Sequence, residues 1–300
     1  MAKKTITRRD FLKAASVAPL AAAFVPALKS GPLTNPASGA EKARVVLVRD
    51  TGALRADGTP DPDVVRRMLD EAVSAITGET DALAGWKTLI RPDDIVGIKS
   101  NVWRFIPTTT EVEQVLKGRV MGAGVAEDRI GIDDRGVLRN PVFQQATALI
   151  NARPARTHNW SGVGSLIKNY ITFVPRPAEW HGDTCADLAK IWYLPEVKGK
   201  TRLNILSVLT PQFHGVGPHS FSKEYVWEYK GFIVSRDPVA ADVIGLRILE
   251  AKRREYFGDD RPLQPTPHHV FLADTRHGLG VSSEDRIELV RIGWSENILI

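Results

Sequence analysis

The chain has 300 residues, of which 43% are hydrophobic and 25% charged, and its formal net charge is +5. These values are ordinary for a globular protein with one large domain or two closely packed lobes. Residues 1–27 contribute +4 of that charge, so the remaining chain is near neutral and a nucleic-acid-binding face is not indicated. The one cysteine, Cys185, excludes an internal disulfide and an Fe–S cluster ligated by four protein thiolates. It is either a buried, inert thiol or a reactive or metal-binding one.

The first residues have the pattern of an export signal. The paired Arg8 and Arg9 are followed by an Ala-rich apolar run that is too short to span a bilayer. The pattern resembles the twin-arginine (Tat) signal, and that resemblance implies the Tat translocase as partner. We expect a signal peptide over residues 1–27, a linker over residues 28–43, and a periplasmic or extracytoplasmic mature protein with no transmembrane span. A basic amphipathic helix of the mature protein is the alternative.

Strand and helix patterns alternate after the linker. Short apolar runs predict strands over residues 45–48, 94–100 and 129–133. Apolar residues at helical spacing predict three helices. The first runs from Pro62 to Ile76 with Asp61 as its cap, the second from Thr108 to Met121 with a Thr108–Glu111 capping box, and the third from Pro141 to Ile150, opened by Asn140–Pro141.

This alternation predicts an α/β fold with a parallel or mixed sheet flanked by helices. We expect one domain over residues 44–300, built of two intimate lobes over residues 44–155 and 156–300, with the candidate site between them. Ligands in such sheets bind beyond the carboxyl ends of the strands. Lys99 and Asn101 end the second predicted strand, and Asp134 follows the third. Lys99 and Asn101 are therefore candidates for binding a ligand or cofactor. Alternatively, Asn101 is a turn residue and Lys99 is exposed to solvent.

Residues 156–182 concentrate the side chains with chemical capability. His158, Lys168 and His181 lie within this segment, and we predict His158 and Lys168 as catalytic. The turn between His158 and Lys168 has little side-chain bulk, so its backbone N–H groups can approach an anion or a flat cofactor. Its predicted cofactor-binding residues are Ser161, Gly162 and Gly164, together with Lys168.

Tryptophans stand beside both histidines of this segment. Trp160 and Trp180 either wall an aromatic pocket or pack in the core.

All seven histidines fall between residues 158 and 277. Because neutral imidazole is the commonest metal ligand, this clustering indicates one imidazole-rich site. Asp242 lies in an apolar stretch where a carboxylate needs a partner, such as a ligand histidine or a lysine. The predicted metal ligands are His181, His214, His219 and Asp242. His268, His269 and His277 are interpreted as surface or packing residues.

Several motifs, taken in order, resemble the domain of unknown function 362 family. They are Ile98 to Asn101, Thr108 to Thr110, Thr157 to Asn169, His181, Gly215 to Pro218, and Ser235 to Asp242. Ser100 and Arg156 depart from the residues that are usual in the family. Many members carry a ferredoxin-like cysteine cluster, which this chain lacks.

The run from His158 through the Gly-Ser turn to Lys168 and His181 is similar to the cofactor-site segment of nickel-pincer lactate racemase. That similarity implies Lys168 as the tether of a nickel-carrying cofactor, His181 as a nickel ligand and His158 as an acid/base. The spacing from lysine to histidine is shorter here.

Two functions follow as hypotheses. One is an exported enzyme that depends on a metal ion or a metal-containing cofactor and acts on a small anionic molecule through a His/Lys site. The other is a periplasmic binding or accessory protein that holds a small molecule, metal or cofactor without turnover.

Overall fold

The computed structural model describes residues 42–215 and 221–300. Within these residues, eight strands form one sheet in the order β3-β2-β4-β6-β7-β1-β8, with β5 paired to β4. The strands are β1 (Ala43–Arg49), β2 (Val96–Lys99), β3 (Ile130–Asp133), β4 (Ala148–His158), β5 (Gly162–Gly164), β6 (Thr201–Gln212), β7 (Gly231–Ser235) and β8 (Ile287–Gly293). The helices are α1 (Pro62–Thr77), α2 (Ala82–Leu89), α3 (Thr110–Gly122), α4 (Pro141–Gln145), α5 (Leu166–Asn169), α6 (Pro238–Phe257) and α7 (His268–Thr275).

The sheet is mixed but mostly parallel, as the alternation of strands and helices predicts. Strands β3, β2, β4 and β6 are mutually parallel, whereas β7 is antiparallel to both of its neighbours. The expected division between lobes at residue 155 falls inside β4, so one continuous sheet carries strands from both expected lobes. None of the described helices is long and apolar enough to cross a membrane.

Helices cover both faces of the sheet. In β1, Val46 and Val48 pack into the core under α1, α2 and α3, whereas Val45 and Leu47 pack into the core under α6. This alternation follows from the two-residue period of a strand. A third apolar cluster gathers residues of α4, α5 and the 3₁₀ turns that follow α5. The result is a three-layer α/β arrangement.

Two capping predictions hold and one is wrong. The carboxylate of Asp61 accepts the N–H groups of Asp63 and Val64 and begins α1. The Asn140 side chain likewise accepts the N–H of Val142 at the start of α4.

The predicted Thr108 capping box does not form. Thr109 stands at the N-cap position of helix α3 without a capping side-chain hydrogen bond, and the Thr108 hydroxyl donates to the carbonyl of Ala152 at 3.2 Å.

The third predicted helix is correct in its first half and wrong in its second half. Helix α4 ends at Gln145, and Leu149 and Ile150 belong to β4. A central strand buried on both faces reads as a continuous apolar run, which periodicity cannot separate from a short buried helix. This misassignment concealed the strand that carries much of the candidate site.

Candidate functional site

The predicted strand-end residues meet at one edge of the sheet. Lys99 ends β2, Asp134 directly follows β3, and His158 ends β4. Because β2, β3 and β4 are parallel, their carboxyl ends share that edge. A cavity of about 160 Å³ lies there, called the edge cavity below. Its polar and aromatic lining includes Asn101, Trp103, Asp134, Arg153, Arg156, His158, Lys168, Asn169, Thr172 and His181.

Lys99 is paired with a carboxylate beside the edge cavity. Its side chain is 0% exposed, and Nζ donates to Asp134 Oδ1 at 2.5 Å and to the Ser100 carbonyl at 2.8 Å. Burial lowers the pKa of Lys99 to about 8, although Asp134 opposes this shift. Burial acts to raise the pKa of Asp134, but Lys99 lowers it overall. Lys99 itself is not among the residues that line the cavity.

Asparagine side chains continue the polar network under the cavity. Asn169 Nδ2 donates to Asn151 Oδ1 at 2.8 Å, and Asn151 Nδ2 donates to Asn204 Oδ1 at 3.1 Å. Asn101, predicted as a ligand-binding residue, lies at the cavity and also contacts Asn169 Oδ1 at 3.5 Å. Such a network fixes the floor of the site because each buried amide is satisfied by its neighbours.

Two arginines of β4 reach the cavity from one strand. Successive residues of a regular strand point to opposite faces, so residues three apart would lie on opposite faces. The pairing of β4 with β6 is irregular between Pro154 and Arg156, where proline cannot donate to a central ladder. As a result, Arg153 and Arg156 both line the edge cavity.

Within the described residues these arginines are only partly supplied with hydrogen-bond acceptors: Arg156 Nη1 donates to the Thr157 carbonyl at 3.4 Å. The two side chains are 4% and 6% exposed, and each Nε lacks a partner within the described part of the chain. Burial lowers the pKa of Arg153 to about 10 and that of Arg156 well below its usual range. The Arg156 guanidinium stacks on the Trp103 ring at 4.1 Å. A buried guanidinium with unused N–H groups is costly unless an anion completes it.

Helix α5 presents Lys168 to the same cavity. Nζ lies 2.9 Å from His181 Nε2 and 3.7 Å from Cys185 Sγ, and the residue is 3% exposed. In the described ranges no carboxylate forms an ion pair with this amine. Burial is the main cause that lowers the pKa of Lys168 to about 8; Cys185 opposes this shift and Arg153 contributes to it.

Asp242 holds α5 in place. This carboxylate on α6 accepts the Ser165 hydroxyl at 2.7 Å and the N–H groups of Leu166 and Ile167 at 2.9 Å each. Burial raises the pKa of Asp242 to about 6 against these hydrogen bonds. The partner of this buried carboxylate is therefore the first turn of α5, in place of the histidine or lysine considered from the sequence.

The two histidines of the segment face each other across the cavity. The His158 and His181 rings are nearly parallel, with centroids 6.0 Å apart. His158 Nδ1 accepts the N–H of Trp160 at 3.2 Å, so neutral His158 carries its proton on Nε2. Burial lowers the pKa of His158, and Lys168 adds to this effect. His181 Nδ1 faces the Ala178 carbonyl at 3.3 Å, which leaves Nε2 free to accept from Lys168.

The two tryptophans of the segment differ in their surroundings. Trp160 is 54% exposed, and its ring meets the His181 ring edge-on at 4.6 Å. Trp180 packs against the third apolar cluster. Trp160 is thus beside the site, while Trp180 mainly packs. Cys185 is buried, and burial raises the pKa of its thiol.

The glycine-rich turn makes room for neighbouring groups. A Cβ on Gly164 would lie 2.7 Å from Arg153 Nη2, so this glycine admits the arginines. Gly162 has φ +73°, and a Cβ there would strike the Pro265 carbonyl. Ser161 Oγ donates to the Val163 carbonyl at 2.7 Å. Ser161, Gly162 and Gly164 are not among the residues that line the edge cavity.

Of the four predicted metal ligands, the three within the described residues, His181, His214 and Asp242, do not form one group. His181 is at the edge cavity, whereas His214 accepts from Arg253 at 3.0 Å and packs against Tyr225. Asp242 is occupied by α5, and His219 lies outside the described residues. No group of three or more His, Cys, Asp or Glu side chains able to hold a metal ion occurs in residues 42–215 and 221–300.

The remaining histidines include one that is fully enclosed. His269 is 1% exposed, and neither ring nitrogen has a partner among the described residues. His277 contacts Asp187 at 3.1 Å.

The three residues compared with nickel-pincer lactate racemase do converge. Lys168, His181 and His158 all line the edge cavity. Its volume of about 160 Å³, however, is below the roughly 300–1,000 Å³ of pockets for drug-sized ligands. The cavity is therefore smaller than a large organic cofactor requires.

Sequence reasoning missed Arg153 and the role of Arg156. The signal that could have found them is the composition of residues 148–158, since a central strand rarely contains two arginines without a function. That signal required recognising β4 as a strand.

The family comparison agrees with the resemblance noted in the sequence. Residues 134–247 match the family model described as Domain of unknown function (DUF362). The matched range contains Arg153, Arg156, His158, Lys168 and His181. No curated protein and no solved structure matches the chain.

Proposed function

We propose that the edge cavity binds a small anionic molecule and that the chain acts on it by proton transfer through Lys168 and His181. One observation carries this proposal: Arg153 and Arg156 are buried at the cavity, and their Nε atoms have no hydrogen-bond partner among the residues that the structure describes. Guanidinium groups bind carboxylates and phosphates through charge-assisted hydrogen bonds, often in pairs. An anion would satisfy both guanidiniums and offset their burial.

The proton-transfer part rests on the contact between Lys168 Nζ and His181 Nε2 at 2.9 Å. General acid–base groups need pKa values near the working pH, and burial moves that of Lys168 toward it. A neutral imidazole beside the amine can accept one proton and return it elsewhere. His158, which lines the same cavity, is a second imidazole within the site.

Binding of a metal ion or metal-containing cofactor stays part of the wider hypothesis through His181, which lines the edge cavity, and His219, which lies outside the described residues. The described residues support anion binding more directly. Metal binding has a separate test, elemental analysis of the purified chain.

The test of anion binding is calorimetric titration and thermal unfolding with inorganic phosphate and with propionate. We expect binding by the native chain and loss of binding in Arg156→Gln. The control is Arg139→Gln, which makes the same charge change on the surface. At a ligand concentration one hundred times Kd, the stabilisation expected is about 2.7 kcal/mol. Equal, weak responses in all three proteins would overturn the proposal.

A binding role without turnover is the second candidate. It is favoured by the same arginines, because they require an anion but no reaction. The two candidates separate when a bound ligand is recovered after long incubation. An unchanged ligand supports binding alone, and a product supports catalysis.

We also propose export by the Tat route into the periplasm. Support comes from Arg8 and Arg9 and the following apolar run, which lie outside the described residues. Residues 1–43 fused to a folded reporter should direct it across the membrane. The Arg8→Lys, Arg9→Lys double variant should not. Export that is indifferent to this change would contradict the Tat proposal.

A further inference from the structure

The amine of Lys168 is placed as a nucleophile. Its polar neighbours are an imidazole nitrogen and a thiol, and neither is a carboxylate that would hold the amine as an ion pair. Unlike Lys99, it lines the edge cavity, so a ligand there meets Nζ directly. A lysine in such a position can attack a carbonyl carbon and form an imine.

Arg153 and Arg156 are placed to bind a negatively charged group on a ligand whose carbonyl meets Lys168. The Cζ atoms of Arg153 and Arg156 each lie 3.4 Å from the position that a Cβ would take on Gly164. The two guanidiniums therefore flank one small space, and they are at most 6.8 Å apart, the sum of 3.4 and 3.4 Å. Two guanidiniums this close are suited to one carboxylate or a similar oxyanion.

We infer that Lys168 forms an imine with the carbonyl group of a small 2-oxo acid whose carboxylate is held by Arg153 and Arg156. This inference rests on the proposed anion site. The cavity of about 160 Å³ equals the volume of roughly five water molecules at about 30 Å³ each, which restricts the ligand to a few heavy atoms. Pyruvate is a suitable probe of this size.

Imine formation at Lys168 requires only the ligand, His181 and a proton from solvent. The lone pair of neutral Lys168 Nζ forms a bond to the carbonyl carbon, and the C=O π electrons move to oxygen. His181 Nε2, 2.9 Å from Nζ, accepts the proton that the nitrogen loses and returns it to that oxygen. A further proton from solvent allows the oxygen to leave as water. The products are a protonated imine and one water molecule, with no oxidant or reductant needed.

The experiment is trapping of pyruvate on the purified full chain with sodium cyanoborohydride, followed by peptide mass spectrometry. We expect the reduced adduct on Lys168 and none in Lys168→Arg. Propionate, which has the carboxylate but no ketone, should compete without forming an adduct. In His181→Gln the trapping rate should fall roughly a hundredfold, in line with the loss of a general acid–base group.

The outcomes separate this inference from the proposed function. If propionate binds but pyruvate leaves no adduct on Lys168, the imine is wrong and the anion site stands. If neither anion binds, the proposed function fails. Adducts spread equally over surface lysines, and unchanged in Lys168→Arg, would also overturn the inference. Thermal unfolding of each variant checks that it is folded.

Discussion

Lys99 and Lys168 are two buried lysines at the same edge of the sheet, and burial lowers the pKa of both to about 8. Their partners differ. Lys99 contacts Asp134 at 2.5 Å, whereas Lys168 contacts His181 at 2.9 Å. The difference teaches that a similar pKa does not imply a similar role. The ammonium group of Lys99 is paired with a carboxylate. The amine of Lys168 has no such partner among the described residues and can interact with a ligand either as an ammonium group or as a neutral nucleophile.

The two lysines should differ most in the free energy of unfolding that is lost when each is replaced by methionine. Lys99→Met leaves the buried Asp134 carboxylate unpaired, so we expect a loss of about 3–5 kcal/mol in the free energy of unfolding. Lys168→Met removes one hydrogen bond, worth about 1 kcal/mol, but also removes a buried charge that has no carboxylate partner among the described residues, so the two effects should largely cancel and the free energy of unfolding should change by less than about 1 kcal/mol. Urea denaturation measures both. Equal losses would break the distinction.

Asp242 positions Lys168 through the backbone of α5, and its replacement should lower the free energy of unfolding by less than that of Lys99. Asp242→Asn keeps the shape but replaces an acceptor oxygen by a donor that faces an N–H group. We expect a loss of about 2 kcal/mol, within the range for hydrogen bonds to charged groups. Pyruvate trapping should fall as well. Asp128→Asn, on the surface, is the control and should change neither measurement.

Raising the pH should change both stability and reactivity at Lys168. Its folded pKa of about 8 lies below the ordinary value of about 10.4, so between these values the unfolded chain binds more protons. The penalty of burying the charge is thus present below pH 8 and is lost as the pH rises, so stability should increase. Lys99 contributes similarly, and Lys168→Met should reduce this increase. The other titratable or charged groups that face the Lys168 amine, and so influence its pKa, are His181, Cys185, Arg153 and Arg156.

The same titration predicts a pH profile for trapping. The neutral amine is the nucleophile, so the rate with pyruvate should rise with a midpoint near pH 8. A midpoint near 10.4, the value for an exposed lysine, would contradict a reactive Lys168.

The smallest stability effect is expected at Trp160, the exposed neighbour of His181. Trp160→Ala should change the free energy of unfolding by about 0.5 kcal/mol, because the side chain is more than half exposed. Trapping should slow, since the ring contacts His181. Trp103→Ala, at a 9% exposed position, should instead cost about 3 kcal/mol. A large stability loss at Trp160 would make its role structural.

Local signals in the sequence predicted much of the fold. The Asp61–Pro62 and Asn140–Pro141 pairs begin helices because their side-chain oxygens satisfy free N–H groups, and that chemistry is local. The strands of residues 45–48 and 129–133 were recognisable from apolar, β-branched runs. The concentration of chemically able side chains in residues 156–182 pointed to His158, Lys168 and His181, and the family resemblance agreed with that choice.

The arginine pair could not be predicted in the same way. Its placement depends on the irregular pairing near Pro154 and on the space at Gly164, which are properties of neighbouring strands. The role of Asp242 was also hidden, since its partners lie more than 70 residues away in the chain. Long-range contacts of this kind leave no mark on periodicity or spacing.

Gly164 offers a practical marker for comparing related sequences. The Cβ of an alanine there would lie 2.7 Å from Arg153 Nη2 and would displace the guanidinium from its place at the site, although Gly164 itself does not line the cavity. In any relative that keeps both arginines, we expect glycine at this position. Where the arginines are replaced by shorter residues, the glycine should be free to vary. Joint variation of these three positions would therefore sort relatives by ligand charge before any of them is purified.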